Sequence, residues 1–163
     1  MPDKKTRAAA AKDKKQGKSA STQAGEYVRE EIEHVRDGKH GARSTKQAIA
    51  IGLSKARRDG VDVQPGKSAS KSTREKAAQD KKASHDRHKP SSTRSRATRK
   101  ALKKEGYSAA SKSALSRHAK KSASKRTASS RSAAAKKAAQ TKGAAGRSAA
   151  AKKAARTRAR NKS

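Results

Sequence analysis

The chain has 163 residues and a formal net charge of +33, with 46 Lys and Arg against 13 Asp and Glu, no Cys, no Phe and no Trp. This composition excludes a disulfide framework, a thiol nucleophile and a zinc–cysteine site, and no apolar run approaches the roughly 20 residues of a membrane span. Thirteen large apolar or aromatic side chains serve the whole chain, nine of them between Tyr27 and Val63. Only there does burial, at about 2 kcal/mol per large side chain, approach the roughly 1–2 kcal/mol per residue of ordering entropy.

Residues 1–21 read as a basic, disordered N-terminal arm, with a charged start and no apolar stretch of the signal-peptide kind. A cytoplasmic location is expected. Residues 22–63 form the predicted folded module, a helical hairpin, in which residues 26–62 hold eight basic and seven acidic groups. Its first helix, "TQAGEYVREEIEHVRDG", is expected to start at an N-cap Thr22 and stop at Gly38. Ala24, Val28, Ile32 and Val35 share a stripe about 80° wide. Glu26, Glu30, Glu33 and Asp37 form an acidic ridge on the opposite face.

The turn "GKHGAR" leads into the second helix, opened by a Ser44–Gln47 capping box and closed by Gly60. Ala48, Ile49, Gly52, Leu53 and Ala56 make its apolar stripe, and small residues at 48, 52 and 56 would admit another helix closely. The predicted hairpin core is Val28, Ile32, Val35, Ile49 and Leu53. Ile51 falls about 60° off the stripe, which suggests a wider contact, a homodimer through residues 22–63. Residues 64–92 read as a linker by their Pro, Gly and Ser content. Residues 93–121 read as a weak helical region with two Leu and no core of its own. Residues 122–163 form an Ala/Lys-rich basic tail in which "RSAAAKKAA" occurs at Arg131–Ala139 and again at Arg147–Ala155, sixteen residues apart. Like charges oppose helix there, so the tail is expected to be mostly disordered when free. The fold class is thus all-α, a small helical hairpin with long, largely disordered Lys/Arg/Ala/Ser-rich extensions.

Residues 107–163 hold seventeen basic groups and no acid. Such a segment binds phosphates without regard to sequence and gains from counterion release. The expected phosphate contacts on the second helix are Lys46, Lys55, Arg57 and Arg58. In the following region they are Arg117, Lys120, Lys121, Lys125 and Arg126. In the tail they are Arg131, Lys136, Lys137, Arg147, Lys152, Lys153, Arg156, Arg158 and Arg160. With no aromatic stacking platform and no zinc-finger ligand set, base readout is not expected. Two consecutive helices invite a helix-turn-helix reading, but a third helix and a larger core are weak, and a hairpin or dimerisation unit fits better. His85 and His88 in "HDRH" are spaced as a metal pair but have no further ligand cluster. His34, His40 and His118 read as isolated surface residues. No metal, cofactor, small-molecule substrate, membrane association or catalysis is expected, because the carboxylates line an exposed helix without a pocket.

The stretch "TQAGEYVREEIEHVRDGKHGARSTKQAIAIGLSKAR" resembles a family of small basic bacterial proteins built around a domain of unknown function and often called DNA-binding. The "RSRATRKALKKEGYSAASKSALSRHA" segment is similar to the same proteins. The Ala/Lys tail is similar to that of bacterial histone-H1-like proteins, while the winged-helix domain of eukaryotic linker histones has no counterpart. Charge and resemblance together imply a non-sequence-specific, nucleoid-associated DNA-binding protein. An RNA- or ribosome-associated protein is the first alternative. A protein-interaction module at 22–63, with a tail that localises it on nucleic acid, is the second.

Overall fold

The computed structural model describes residues 2–66, 68–85 and 91–161, and the described residues form helices with no strand. In chain order these are α1 (Lys4–Lys15), α2 (Ala20–Arg36), α3 (Thr45–Arg58), α4 (Lys71–Lys82), α5 (Ser92–Lys103), a 3-10 turn (Ser108–Ala110), α6 (Lys112–Ser124) and α7 (Ala128–Arg160). The fold class is all-α, as the sequence implied. Two compact units divide the chain, Met1–His118 and Ala119–Ser163.

The hairpin of the first unit is α2 against α3, and its seam is built from small residues. Ala48, Gly52 and Ala56 are buried on α3, whereas Ile49, Ile51 and Leu53 are only half-buried. A β-carbon at Gly52 would lie 2.7 Å from Val28 Cα and 3.0 Å from Tyr27 O, so the two backbones meet at a distance only glycine permits. Of the predicted core, Ile32 and Val35 are buried, Val28 and Leu53 pack on the core from its margin, and Ile49 lies in neither buried cluster. The large apolar residues of α3 flank a narrow seam rather than filling it. Helices this close leave no room for branched side chains between them.

Capping follows local chemistry with one correction. The N-cap of α2 is Ser19, whose Oγ accepts from Thr22 N, not Thr22 itself. Ser44 caps α3 by accepting from Gln47 N at 3.3 Å, and Gln47 Oε1 reaches back to Arg43 N at 2.8 Å, one residue before the position a strict capping box would use. Gly38 and Gly60 follow the ends of α2 and α3 with φ of 71° and 88°, left-handed conformations that end a helix.

Residues 1–21, expected to be disordered, contribute α1, which buries Thr6, Ala10 and Asp13. Ala10 joins Ala24, Tyr27 and Ala56 in one buried cluster, flanked by Leu53, Val61 and Val63. The stretch expected to be a linker contributes α4, capped by Ser70 and burying Ala77 and Asp80. The weak helical region is docked on the hairpin. Ala109 and Ala110 join Ile32, Val35, Ala42 and Ala48 in the other buried cluster, with Leu115 and Val28 packed on it. Four hydrogen bonds fix this segment: Gly41 N to Leu102 O at 2.9 Å, Ala42 N to Gly106 O at 3.0 Å, Thr45 Oγ1 to Ala109 O at 2.6 Å and Arg36 Nε to Ala110 O at 2.8 Å. A β-carbon on Gly41 would stand 1.9 Å from Glu105 O, so glycine is required at that crossing. Alanine and backbone supply what two leucines could not: thin side chains bring main chains within hydrogen-bonding reach.

The second unit is helical where disorder was expected. Thr127 caps α7 by accepting from Ser130 N, and the helix is broken at Gly143, whose φ is 65° and ψ 174°. Alanine, lysine and arginine are strong helix formers, and propensity prevails over like-charge repulsion along α7.

Candidate nucleic-acid interface

Burial alone does not predict which charges the first unit uses for itself. Glu31 has no exposed surface, Asp80 is 1% exposed and Glu30 is 4% exposed. A buried carboxylate must be paired or hydrogen-bonded to offset its desolvation. Lys55 Nζ lies 2.5 Å from Glu31 Oε2, and Arg58 Nε lies 2.9 Å from Asp80 Oδ1, tying α3 to α2 and to α4. Asp59, just past α3, accepts from Arg7 through both carboxylate oxygens, at 2.9 and 3.0 Å, and from Tyr27 Oη at 2.5 Å. Burial, reinforced by that carboxylate, pushes the Tyr27 hydroxyl well above its ordinary pKa, so it stays a donor. Lys81 lies 2.8 Å from Asp62 and, by hydrogen bond and charge, holds that carboxyl below its usual range.

The expected phosphate contacts therefore divide. Lys55 and Arg58 face buried acids, and Arg57 Nε donates to Val63 O at 2.9 Å. All three are engaged in holding the first unit together, and only Lys46 of that helix group is an exposed residue with no acid set against it. The acidic ridge is likewise reduced. Glu30 turns inward, Glu26 meets Arg29, and Glu33 and Asp37 remain exposed.

In the second unit every residue named for phosphate contact is exposed: Lys120, Lys121, Lys125, Arg126, Arg131, Lys136, Lys137, Arg147, Lys152, Lys153, Arg156, Arg158 and Arg160. Arg117, at the end of the first unit, is exposed as well. Arg126 bonds to Ser130, and Arg147 Nη1 donates to Ala139 O at 2.6 Å, both local contacts within the same unit. At roughly 100° per residue, Arg131, Lys136 and Lys137 lie at about 0°, 140° and 240° around the axis. The repeat at Arg147, Lys152 and Lys153 has the same spacing. Each repeat thus rings the helix with charge instead of presenting one face, and the paired lysines do not point the same way.

A further set of cations escaped the sequence reading. Arg96, Lys100 and Lys104, with Arg99 and Lys103 beside them, line one shallow hollow on α5. The signal was present: residues 94–104 hold six basic groups and no acid, with cations four apart at 96, 100 and 104 and at 99 and 103. Four-residue spacing places such groups on one side of a helix. No residue of α5 is buried, so this cationic side has no competing role in a core.

His85 is exposed and His88 lies outside the described residues. His34 and His40 are not isolated. Their rings approach edge to face with centroids 6.1 Å apart, beside the buried Glu31.

No helix of the described residues is long and apolar enough to cross a membrane. No curated protein and no solved structure matches the chain. Residues 13–68 match a family model described as a family of unknown function (DUF6496). The matched span runs from the last turn of α1 through α2 and α3, so the hairpin is similar to that family while α5 and the whole second unit lie outside the match.

Proposed function

We propose that the protein binds DNA without sequence specificity, as a nucleoid-associated, histone-H1-like protein, by neutralising phosphates with its second unit and α5. The observation that carries this reading is the separation of charge by use. Lys55, Arg57 and Arg58 on α3 are matched to buried acids or to backbone, whereas residues 119–163 contain fifteen cations and no Asp or Glu. Phosphate neutralisation releases condensed counterions and needs neither a pocket nor base contacts. The ring-like charge on α7 suits a polyanion that can be met from any direction. A role as an enzyme is not part of the proposal.

The first unit then serves as a folded anchor in which Arg7, Lys55, Arg57 and Arg58 are engaged internally, while its α5 offers exposed cations to the polyanion. An RNA- or ribosome-associated role draws on the same phosphate chemistry. Gel shifts of the full chain with duplex DNA, structured RNA and single strands at matched salt distinguish the two. The proposal expects comparable affinity for unrelated duplex sequences, a steep decline with salt and no more than equal affinity for structured RNA. A strong preference for RNA would transfer the function to that polymer. Binding that persists unchanged when salt is raised would refute phosphate neutralisation altogether.

A further inference from the structure

We infer that Glu31, His34 and His40 form a binding site for a borderline divalent metal ion such as Zn2+, at the junction of α2 with the turn into α3. One ligand atom from each of the three lies within 4.8 Å of the others. Glu31 and His34 stand three apart on α2, so the helix itself places both on one side. His40 arrives from the turn, which is held by the hydrogen bonds of Gly41 and Ala42 to Leu102 and Gly106.

Two features distinguish this cluster from an ordinary set of surface histidines. Glu31 is fully buried, and its Oε1 makes no hydrogen bond among the described residues, although Oε2 is held by Lys55. His40 Nδ1 lies 3.0 Å from Gly41 O, an atom that can only accept, so Nδ1 carries the proton. In the neutral form of that tautomer Nε2 is the lone-pair atom, and it faces Glu31 Oε1 at 3.2 Å. Two acceptors facing each other at this distance repel unless a proton or a cation lies between them.

The spacing suits a metal. Zinc–nitrogen and zinc–oxygen bonds of about 2.0–2.1 Å at tetrahedral angles put neighbouring ligand atoms about 3.3 Å apart. His34, whose ligand atom lies within 4.8 Å of the other two, completes the set by a side-chain adjustment toward that same separation. Outer partners are already in place: Lys55 orients Glu31, and the Gly41 carbonyl fixes the His40 tautomer. His34 Nε2 also lies 3.7 Å from both Glu30 Oε1 and Asp3 Oδ2. Three carboxylates thus surround the histidine pair against the single Lys55 ammonium that meets Glu31, an electrostatic setting that favours a divalent cation. Two imidazoles select zinc, cobalt or nickel over calcium and magnesium, which prefer oxygen ligands. Such an ion would clamp α2 to the turn that also holds residues 102–106.

The test uses the full-length protein freed of metal with a chelator. Calorimetric titration with Zn2+ should show one ion per chain, Co2+ should give the intense visible bands of a four-coordinate site, and the melting temperature should rise on metal addition. His40→Gln and His34→Gln should each weaken Zn2+ binding at least tenfold, whereas His118→Gln should leave it unchanged. If a variant fails to fold, histidine NMR of the unaltered chain decides: the His34 and His40 ring signals should move with one equivalent of Zn2+ while that of His118 stays. Absence of saturable binding, or binding that survives both substitutions, would overturn the site. So would His40 signals that show both ring nitrogens protonated and unresponsive to Zn2+, because a proton would then bridge His40 and Glu31.

Discussion

The two units of this chain use the same residue types for opposite ends. In Met1–His118, Lys55, Arg57, Arg58 and Arg7 are pinned to buried acids, carbonyls or Asp59, and charge takes the place of the apolar mass the unit lacks. In Ala119–Ser163 no acid exists to receive them, and the described cations named above are exposed. These four first-unit cations are therefore read by their partners, whereas the second unit contains no Asp or Glu to engage its own. Net charge by itself makes no such distinction.

Deleting residues 119–163 should sharpen the comparison most. The deletion removes fifteen of the cations and none of the acids. The full chain, with about ten phosphate contacts, should show a slope of log K against log salt of about −9 at roughly 0.9 per contact. The truncated chain should lose several orders of magnitude in duplex affinity at physiological salt while keeping its melting transition. Retention of most affinity would move the interface to α5 and break the division of labour.

The converse substitution lies in the first unit. Lys55→Met leaves Glu31 buried without its ammonium, and removing one partner of a buried pair costs about 3–5 kcal/mol. Because Lys55 keeps some exposure to water, the lower end of that range is expected. Thermal melting should register the loss, while duplex affinity at a temperature where the variant is folded should change less than twofold. A large affinity loss in folded protein would return Lys55 to the interface.

Gly52→Ala probes the seam without touching charge. Its new methyl would meet Val28 Cα at 2.7 Å, a backbone atom that cannot turn aside. Overpacking of this kind costs about 1–3 kcal/mol, to be measured by denaturant unfolding. An unchanged midpoint would mean that the α2–α3 spacing gives way readily.

The smallest effect should come from order within the tail. Shuffling Arg147–Ala155 keeps its three cations and its helix-forming composition, so affinity should change less than twofold. Deleting the same nine residues should flatten the salt slope by about 2–3 units. A tenfold loss on shuffling, with helix content preserved by circular dichroism, would show that the positions of the charges around α7 matter.

Sequence by itself determined the all-α class, the existence of α2 and α3, their stop at Gly38 and Gly60, the capping of α3 at Ser44, the small-residue seam at Ala48, Gly52 and Ala56, and the acid-free basic tail. All of these are local: helical period, end signals and composition act within a few residues of one another. Tertiary structure alone decided that Glu30, Glu31 and Asp80 turn inward, that Lys55 and Arg58 are pinned to acids on other helices, and that His34 and His40 meet. It also decided that α1 and α4 are part of the fold and that residues 102–110 dock on the turn at Gly41. Those outcomes depend on which distant residues become neighbours. A glutamate on an amphipathic helix looks the same whether water or an ammonium from another helix will face it. In a chain with so few large apolar side chains, alanine and paired charge complete the core, and neither carries a hydrophobic signal strong enough to mark its burial in advance.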